Sequence, residues 1–313
     1  MTTRGHISLH LTEASNPYQQ LLKSEAASAA TRGDHALEVT YSHLGVVKQI
    51  QQLFAAIQAP PAKRPRGIVV LPARDGALDD VAREAGRAKI AWIVLNRRAT
   101  TLGDLPSEFP ELPIFTVTPD DRQIGSIQAK QLRTLLPNGG RALYVRGLVT
   151  TLTAVEREAS MTHALTGSAI ELEAVDGGWT LDGAKKAVAL WLRSARSRHG
   201  LSAIACQNDA MAVGALRALE SIAAELDRPE LLQLPVLGCD GLPTEGRRLV
   251  DEKKLAATVT VPLTAGVAVD LLLRALDDGT RPPLETALSS ASYPELDRVG
   301  RRSRPPSFPP RSR

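Results

Sequence analysis

The 313-residue chain is 43% hydrophobic and 23% charged, ample apolar material for a core, which excludes intrinsic disorder and a single small module. Its 38 basic and 34 acidic side chains give a net charge of +4, a balance that points at first to an anionic partner such as nucleic acid. The excess is local: six arginines and no acid lie between Arg298 and Arg313, so the preceding body carries 32 basic against 34 acidic residues, and the basicity belongs to a Pro/Arg tail (298–313) expected to be disordered.

Along the body, short β-type runs alternate with helical-period runs, the pattern of parallel sheets flanked by helices. HISLHL (6–11) predicts a strand, and 16–33 a helix with Pro17 in its first turn and Gly33 at its C-terminal cap. A strand follows at 37–42 and a helix at 46–58, then a strand at 67–72, a helix near 78–89, strands at 91–96 and 113–119, and a helix over 122–136. A second series begins at 142–147 and continues with a helix near 153–166, a strand at 170–175, a helix from 181 to about 198, a strand at 203–208, a helix at 210–226 and a strand at 235–240. Ten or so strands would strain one open twisted sheet, so two α/β lobes are expected. The segment 256–276 carries Asp270 and Arg274 and is no membrane span.

In such sheets ligands bind beyond the carboxyl ends of the strands. The residues there are Asn16, Pro17 and Tyr18; Pro72 to Asp75; Asn96, Arg97 and Arg98; Asp120 and Asp121; Asn208 and Asp209; and Cys239, Asp240 and Gly241. Amide, carboxylate and guanidinium groups each bond two neighbouring hydroxyls, and Tyr18 and Trp179 offer faces for the C–H side of a sugar ring, so the pattern is that of polyol recognition. Asn208 and Asp209 open a helix; Asn208 is assigned to the ligand and Asp209 to the cap. A helix start accounts for the adjacent Asp120 and Asp121. Cys206 and Cys239 are too few for a disulfide framework and lack neighbouring ligands for a metal, so inert buried thiols are expected. No GxGxxG after a strand, GxxxxGK[ST] or GxSxG occurs, and no catalytic constellation, cofactor site or metal site is read.

Four blocks in order, SNPYQQLL (15–22), VLNRRAT (94–100), ACQNDAMAVGALRAL (205–219) and PVLGCDGLPTEGRRLVDEKKLAATV (235–259), make residues 5–278 resemble the type I periplasmic binding proteins. The likeness is strongest to their ribose/galactose-binding branch and to the sugar-binding core of lactose-repressor-like regulators. It implies two Rossmann-like lobes, 1–119 plus 262–287 and 120–261 plus 288–297, joined by a three-stranded hinge that closes on one sugar or polyol. By motif it implies ligand contacts from Asn16, Tyr18, Asn96, Arg97, Arg157, Trp179, Asn208 and Asp240. The ribose binders carry more polar residues than Leu71, Pro119, Cys239 and Val261, so these departures favour a deoxy-sugar, a methylated polyol or another less polar small molecule.

The implied protein is a non-enzymatic monomer that serves an ABC-type membrane permease from the periplasm. No secretion signal is read at the N-terminus, because His6, His10 and Glu13 interrupt any apolar run; a native start at Met1 would imply the cytoplasm. The alternative is a cytoplasmic ligand-sensing regulator core. Such regulators carry a helix-turn-helix before the first strand, for which this chain has no room, so direct nucleic-acid binding is not expected.

Overall fold

The computed structural model describes residues 4–194 and 200–300. In chain order its elements are β1 His6–Leu11, α1 Pro17–Arg32, β2 Ala36–Tyr41, α2 Val46–Ile57, β3 Gly67–Val70, α3 Asp79–Arg87, β4 Ala91–Leu95, α4 Leu105–Glu108, β5 Ile114–Pro119 and α5 Asp121–Leu135. There follow β6 Gly140–Arg146, α6 Leu152–Leu165, β7 Ile170–Asp176, α7 Leu181–Arg193, β8 Ala203–Cys206, α8 Asp209–Glu225, β9 Val236–Leu237, α9 Arg248–Asp251, β10 Thr258–Thr260, α10 Ala265–Asp278, β11 Glu285–Leu288 and β12 Ala291–Tyr293.

The strands form a six-stranded parallel sheet, β2-β1-β3-β4-β5-β11, a four-stranded parallel sheet, β7-β6-β8-β9, and an antiparallel pair, β10-β12. These are the parallel sheets of two lobes. Both faces of each sheet are covered, which is why the strands read as continuous apolar runs. In the first lobe Ile7, Leu9, Leu11, Val69 and Ile93 pack beneath α1 and α10, while Ile68, Val70 and Trp92 alternate onto the opposite face against α2 and α3. In the second, Leu143, Val145 and Ile204 meet α7 and α8, and Ala142, Tyr144 and Ala205 meet α5 and α6.

The chain crosses between the lobes after β5, after β10 and after β11, so the sequence-distant β11 closes the edge of the first sheet beside β5. The strand expected over 235–240 is shorter: only Val236 and Leu237 form a ladder, and Asp240 bridges singly to Thr260. Residues 298–300, assigned to the tail by charge, belong to the folded body instead. Leu296–Arg298 make a helical turn, and Val299 is buried in the apolar cluster that Leu135 and Leu136 flank. The rest of the expected tail, 301–313, and the end of the 181–198 helix at 195–198 lie outside the described residues.

His10 shows how tightly the first sheet is sealed. Its ring lies between the hydroxyls of Ser8 and Thr40, each at 2.8 Å, and burial lowers its pKa from 6.5 to about 4. The folded state therefore holds His10 neutral where the unfolded chain would protonate it, a contribution complete above pH 6.5 and lost as pH falls through about 4. The displacement corresponds to about 3 kcal/mol. Denaturant unfolding between pH 7 and 4 should show this acid loss, and a His10→Gln variant should show a shallower slope; an unchanged slope would refute the assignment.

Candidate functional site

The carboxyl ends of the two sheets face each other across a cleft that is open to solvent and, with the solvent of its mouth included, encloses about 870 Å³. On the first lobe the cleft lies where the strand order turns, between β1 and its neighbours β2 and β3; on the second it lies between β6 and β8.

The second-lobe wall is built around Arg157, which is only 5% exposed. Helices α5 and α6 approach closely because Gly125 has no Cβ; one there would stand 2.3 Å from the carbonyl oxygen of Arg157. This places Asp121 under the guanidinium, where it accepts Nε–H at 2.8 Å, while Nη1 donates to the Gln207 carbonyl at 2.8 Å and reaches Cys239 Sγ at 3.5 Å. Burial pushes the Asp121 carboxyl up, and Arg157 pulls it back down. Among the described residues nothing bonds Arg157 Nη2, whose two hydrogens remain for the cleft that Arg157 lines. The guanidinium also stands 5.7 Å from the ring centre of Trp179, and Gly147 leaves room for that ring, since a Cβ there would lie 2.0 Å from it.

Asn208 caps α8, its Oδ1 accepting from Met211 N at 2.8 Å, and its amide donates to the Trp179 carbonyl at 3.2 Å. The same side chain thus caps the helix and lines the cleft. Asp209 plays neither: its carboxylate is buried behind the cleft and accepts from Gly241 N at 2.8 Å and Thr258 Oγ1 at 2.7 Å. The Gly241 bond holds the turn that presents Asp240. Among the described residues no side chain pairs with the Asp240 carboxylate; burial, then the nearby charge of Asp209, push its pKa well above the usual range, with Arg157 opposing.

On the first-lobe wall, Asn16 caps α1 by accepting from Gln19 N at 3.1 Å, and Tyr18 donates its hydroxyl to the Pro262 carbonyl at 3.0 Å. Asn96 accepts from Thr264 Oγ1 at 2.8 Å. Arg97 is 6% exposed and is spent mainly on the protein: it pairs with Asp75 and donates to the carbonyls of Asn96 and Pro72. Asn96, Trp179 and Asp240 all have positive φ, at 55°, 66° and 116°, so backbone strain gathers at the cleft.

Asp75 also ties the lobes together. Its Oδ2 accepts the Leu152 N–H at the start of α6 at 2.5 Å, and Arg97 reaches Thr153 Oγ1 at 3.3 Å from the same side. Asp75→Ala removes this latch and leaves Arg97 without its carboxylate. The expected outcome is a larger radius of gyration of the ligand-free protein by small-angle scattering, with an affinity loss of roughly tenfold, the scale of one charged hydrogen bond. An unchanged radius and affinity would contradict the latch.

All eight side chains selected from the sequence therefore line one cleft, as do the less polar Leu71 and Val261. Pro119 is outside the lining, and Cys239 reaches it only through Arg157. Arg157 is not on the solvated helix face that flanking Glu156 and Glu158 suggest, and Asp121 is more than a helix start. Asp75 and Asp121, which position the two arginines, were not selected; partnership across 22 and 36 residues leaves no local pattern. Both cysteines are buried free thiols.

A model of the family described as periplasmic binding protein domain matches residues 7–280. The ribose import binding protein of Salmonella typhimurium is 26% identical over 256 residues, covering 81% of this chain and 78% of that protein. Among solved structures, a periplasmic solute-binding protein of an ABC transporter from Actinobacillus succinogenes with bound D-allose matches at TM-score 0.79 and 20% identity, covering 95% of this chain and 99% of that one. A myo-inositol-binding protein from Caulobacter matches at TM-score 0.75 and 21% identity, covering 96% and 98%.

Proposed function

The chain belongs to the periplasmic binding protein domain family, and from that premise we propose that it is a solute-binding protein that captures a sugar or sugar-like polyol in the interlobe cleft and hands it to an ABC-type permease. The observation that carries this reading is the convergence, on one cavity, of the Asp240 carboxylate, the remaining Arg157 hydrogens and the Trp179 ring. A carboxylate and a guanidinium side by side take the donor and acceptor ends of adjacent hydroxyls, and an aromatic face takes the C–H side of the ring. The three crossings after β5, β10 and β11 supply the hinge about which the lobes close.

In this reading the protein binds without transforming its ligand, acts as a monomer in the periplasm and needs no cofactor. A thermal-shift panel of pentoses, hexoses and inositols tests it. A ligand at a hundred times its Kd adds about 2.7 kcal/mol to the folded state and raises Tm visibly; no shift with any sugar or polyol would refute the reading.

A further inference from the structure

We propose that the ligand is a terminal-deoxy sugar, with vicinal hydroxyls on the edge facing Asp240 and Arg157 and a methyl group on the edge facing Leu71 and Val261. This rests on the reading of the cleft as a sugar site and goes further, to the chemistry of each edge.

Leu71 follows β3 and Val261 follows β10, so the two come from opposite sides of the hinge. They are 8% and 7% exposed and pack with Tyr18 in one apolar cluster. Tyr18 has already given its proton to the Pro262 carbonyl, one residue beyond Val261. Val261 in turn donates its N–H to the Asp240 carbonyl at 3.0 Å, so the apolar floor begins where the carboxylate wall ends.

The neighbouring polar groups of the first lobe are committed within the protein. Gln19 Oε1 accepts the amides of Thr12 and Glu13, both at 2.9 Å, and its Nε2 donates to Thr12 Oγ1 at 2.8 Å. The carboxamide oxygens of Asn16 and Asn96 are taken by Gln19 N and Thr264. Apart from the half-exposed Glu13, most of what these side chains retain is donor capacity, the Nδ2 hydrogens of Asn16 and the Asn96 hydrogen that the Tyr18 hydroxyl does not take. A ring oxygen suits such donors.

A hydroxyl set against Leu71 and Val261 meets apolar side chains and gives up its water for little compensation. A methyl group there covers apolar surface instead. The other wall has the reverse character, because Asp240 accepts and Arg157 Nη2 donates.

The test is isothermal titration of the full chain with sugar pairs that differ by one terminal hydroxyl: 5-deoxy-D-ribose and D-ribose, L-fucose and L-galactose, L-rhamnose and L-mannose. In the pair whose ring stereochemistry fits, the deoxy member should bind about tenfold to a hundredfold more tightly, the discrimination expected when an apolar pocket meets an added hydroxyl. Val261→Thr, which places a hydroxyl in nearly the same volume, should narrow that gap about fivefold or more. If parent sugars bind as tightly as their deoxy partners in every pair that gives heat, this inference falls while the sugar-binding reading stands. If neither member of any pair binds while a sugar or inositol of the thermal-shift panel does, this inference falls and the sugar-binding reading stands; if the whole panel is silent as well, both fall.

Discussion

Asp240→Ala is expected to weaken ligand binding at least about a hundredfold without unfolding the protein, because it deletes the carboxylate acceptor of the second-lobe wall and leaves that lobe's core untouched. The estimate adds two lost hydrogen bonds from a charged group, each worth about 1.5 kcal/mol or more. Burial holds the Asp240 carboxyl above its ordinary range. Ligand hydroxyls donating to the carboxylate favour its charged form, so binding should release a proton and tighten as pH rises. Titration in two buffers of different ionisation enthalpy would detect that proton, and Asp240→Asn should abolish the release. Asp209→Asn is the control: its one carboxamide oxygen can accept from Gly241 N while its amide donates to the Thr258 hydroxyl, which turns to accept, all behind the cleft, so affinity should stay within about threefold. Equal losses in the two variants would contradict the division of roles.

Arg157→Met should have the larger effect on stability, about 3–5 kcal/mol, since it strands the Asp121 carboxylate and the Gln207 carbonyl in a buried site. Much of that loss is the cost of an unpaired charge rather than the worth of the pair. Removing both partners, Arg157→Met with Asp121→Leu, should therefore recover most of the stability, because apolar side chains of similar volume replace a desolvated ion pair. Binding should not recover, because the Nη2 hydrogens are gone. Urea unfolding and titration of the three variants check this together. A single mutant that loses under 1 kcal/mol, or a double mutant that binds, would refute it.

Much of the fold was legible because a parallel sheet covered on both faces writes its strands as apolar runs such as GIVV and AWIVL, between helices with one buried stripe. The cleft side chains were legible for a related reason: the strand ends are fixed once the runs are found, and Asn, Arg and Asp stand just beyond them. What escaped depended on distance along the chain. Strand β11 has no strong apolar pattern and owes its state to pairing with β5, more than 160 residues away. Asp121 reads locally as helix-start chemistry and acquires its role only when Gly125 lets α6 settle against α5. Asp209 was read as a cap, yet its partners Gly241 and Thr258 lie 32 and 49 residues on. The tail was placed too early because charge alone defined it, while Val299 is held by burial.

Trp179 allows the central claim to be read at the site itself. The other tryptophans, Trp92 and Trp191, are 2% and 5% exposed in the lobe cores, so a Trp92→Phe, Trp191→Phe protein reports from the cleft alone. Titrating it with a sugar that raises Tm should give a saturable change in Trp179 emission with the same Kd as calorimetry, and the change should vanish in Asp240→Ala. A sugar that stabilises the protein while Trp179 emission stays constant would place binding outside the cleft and contradict the account.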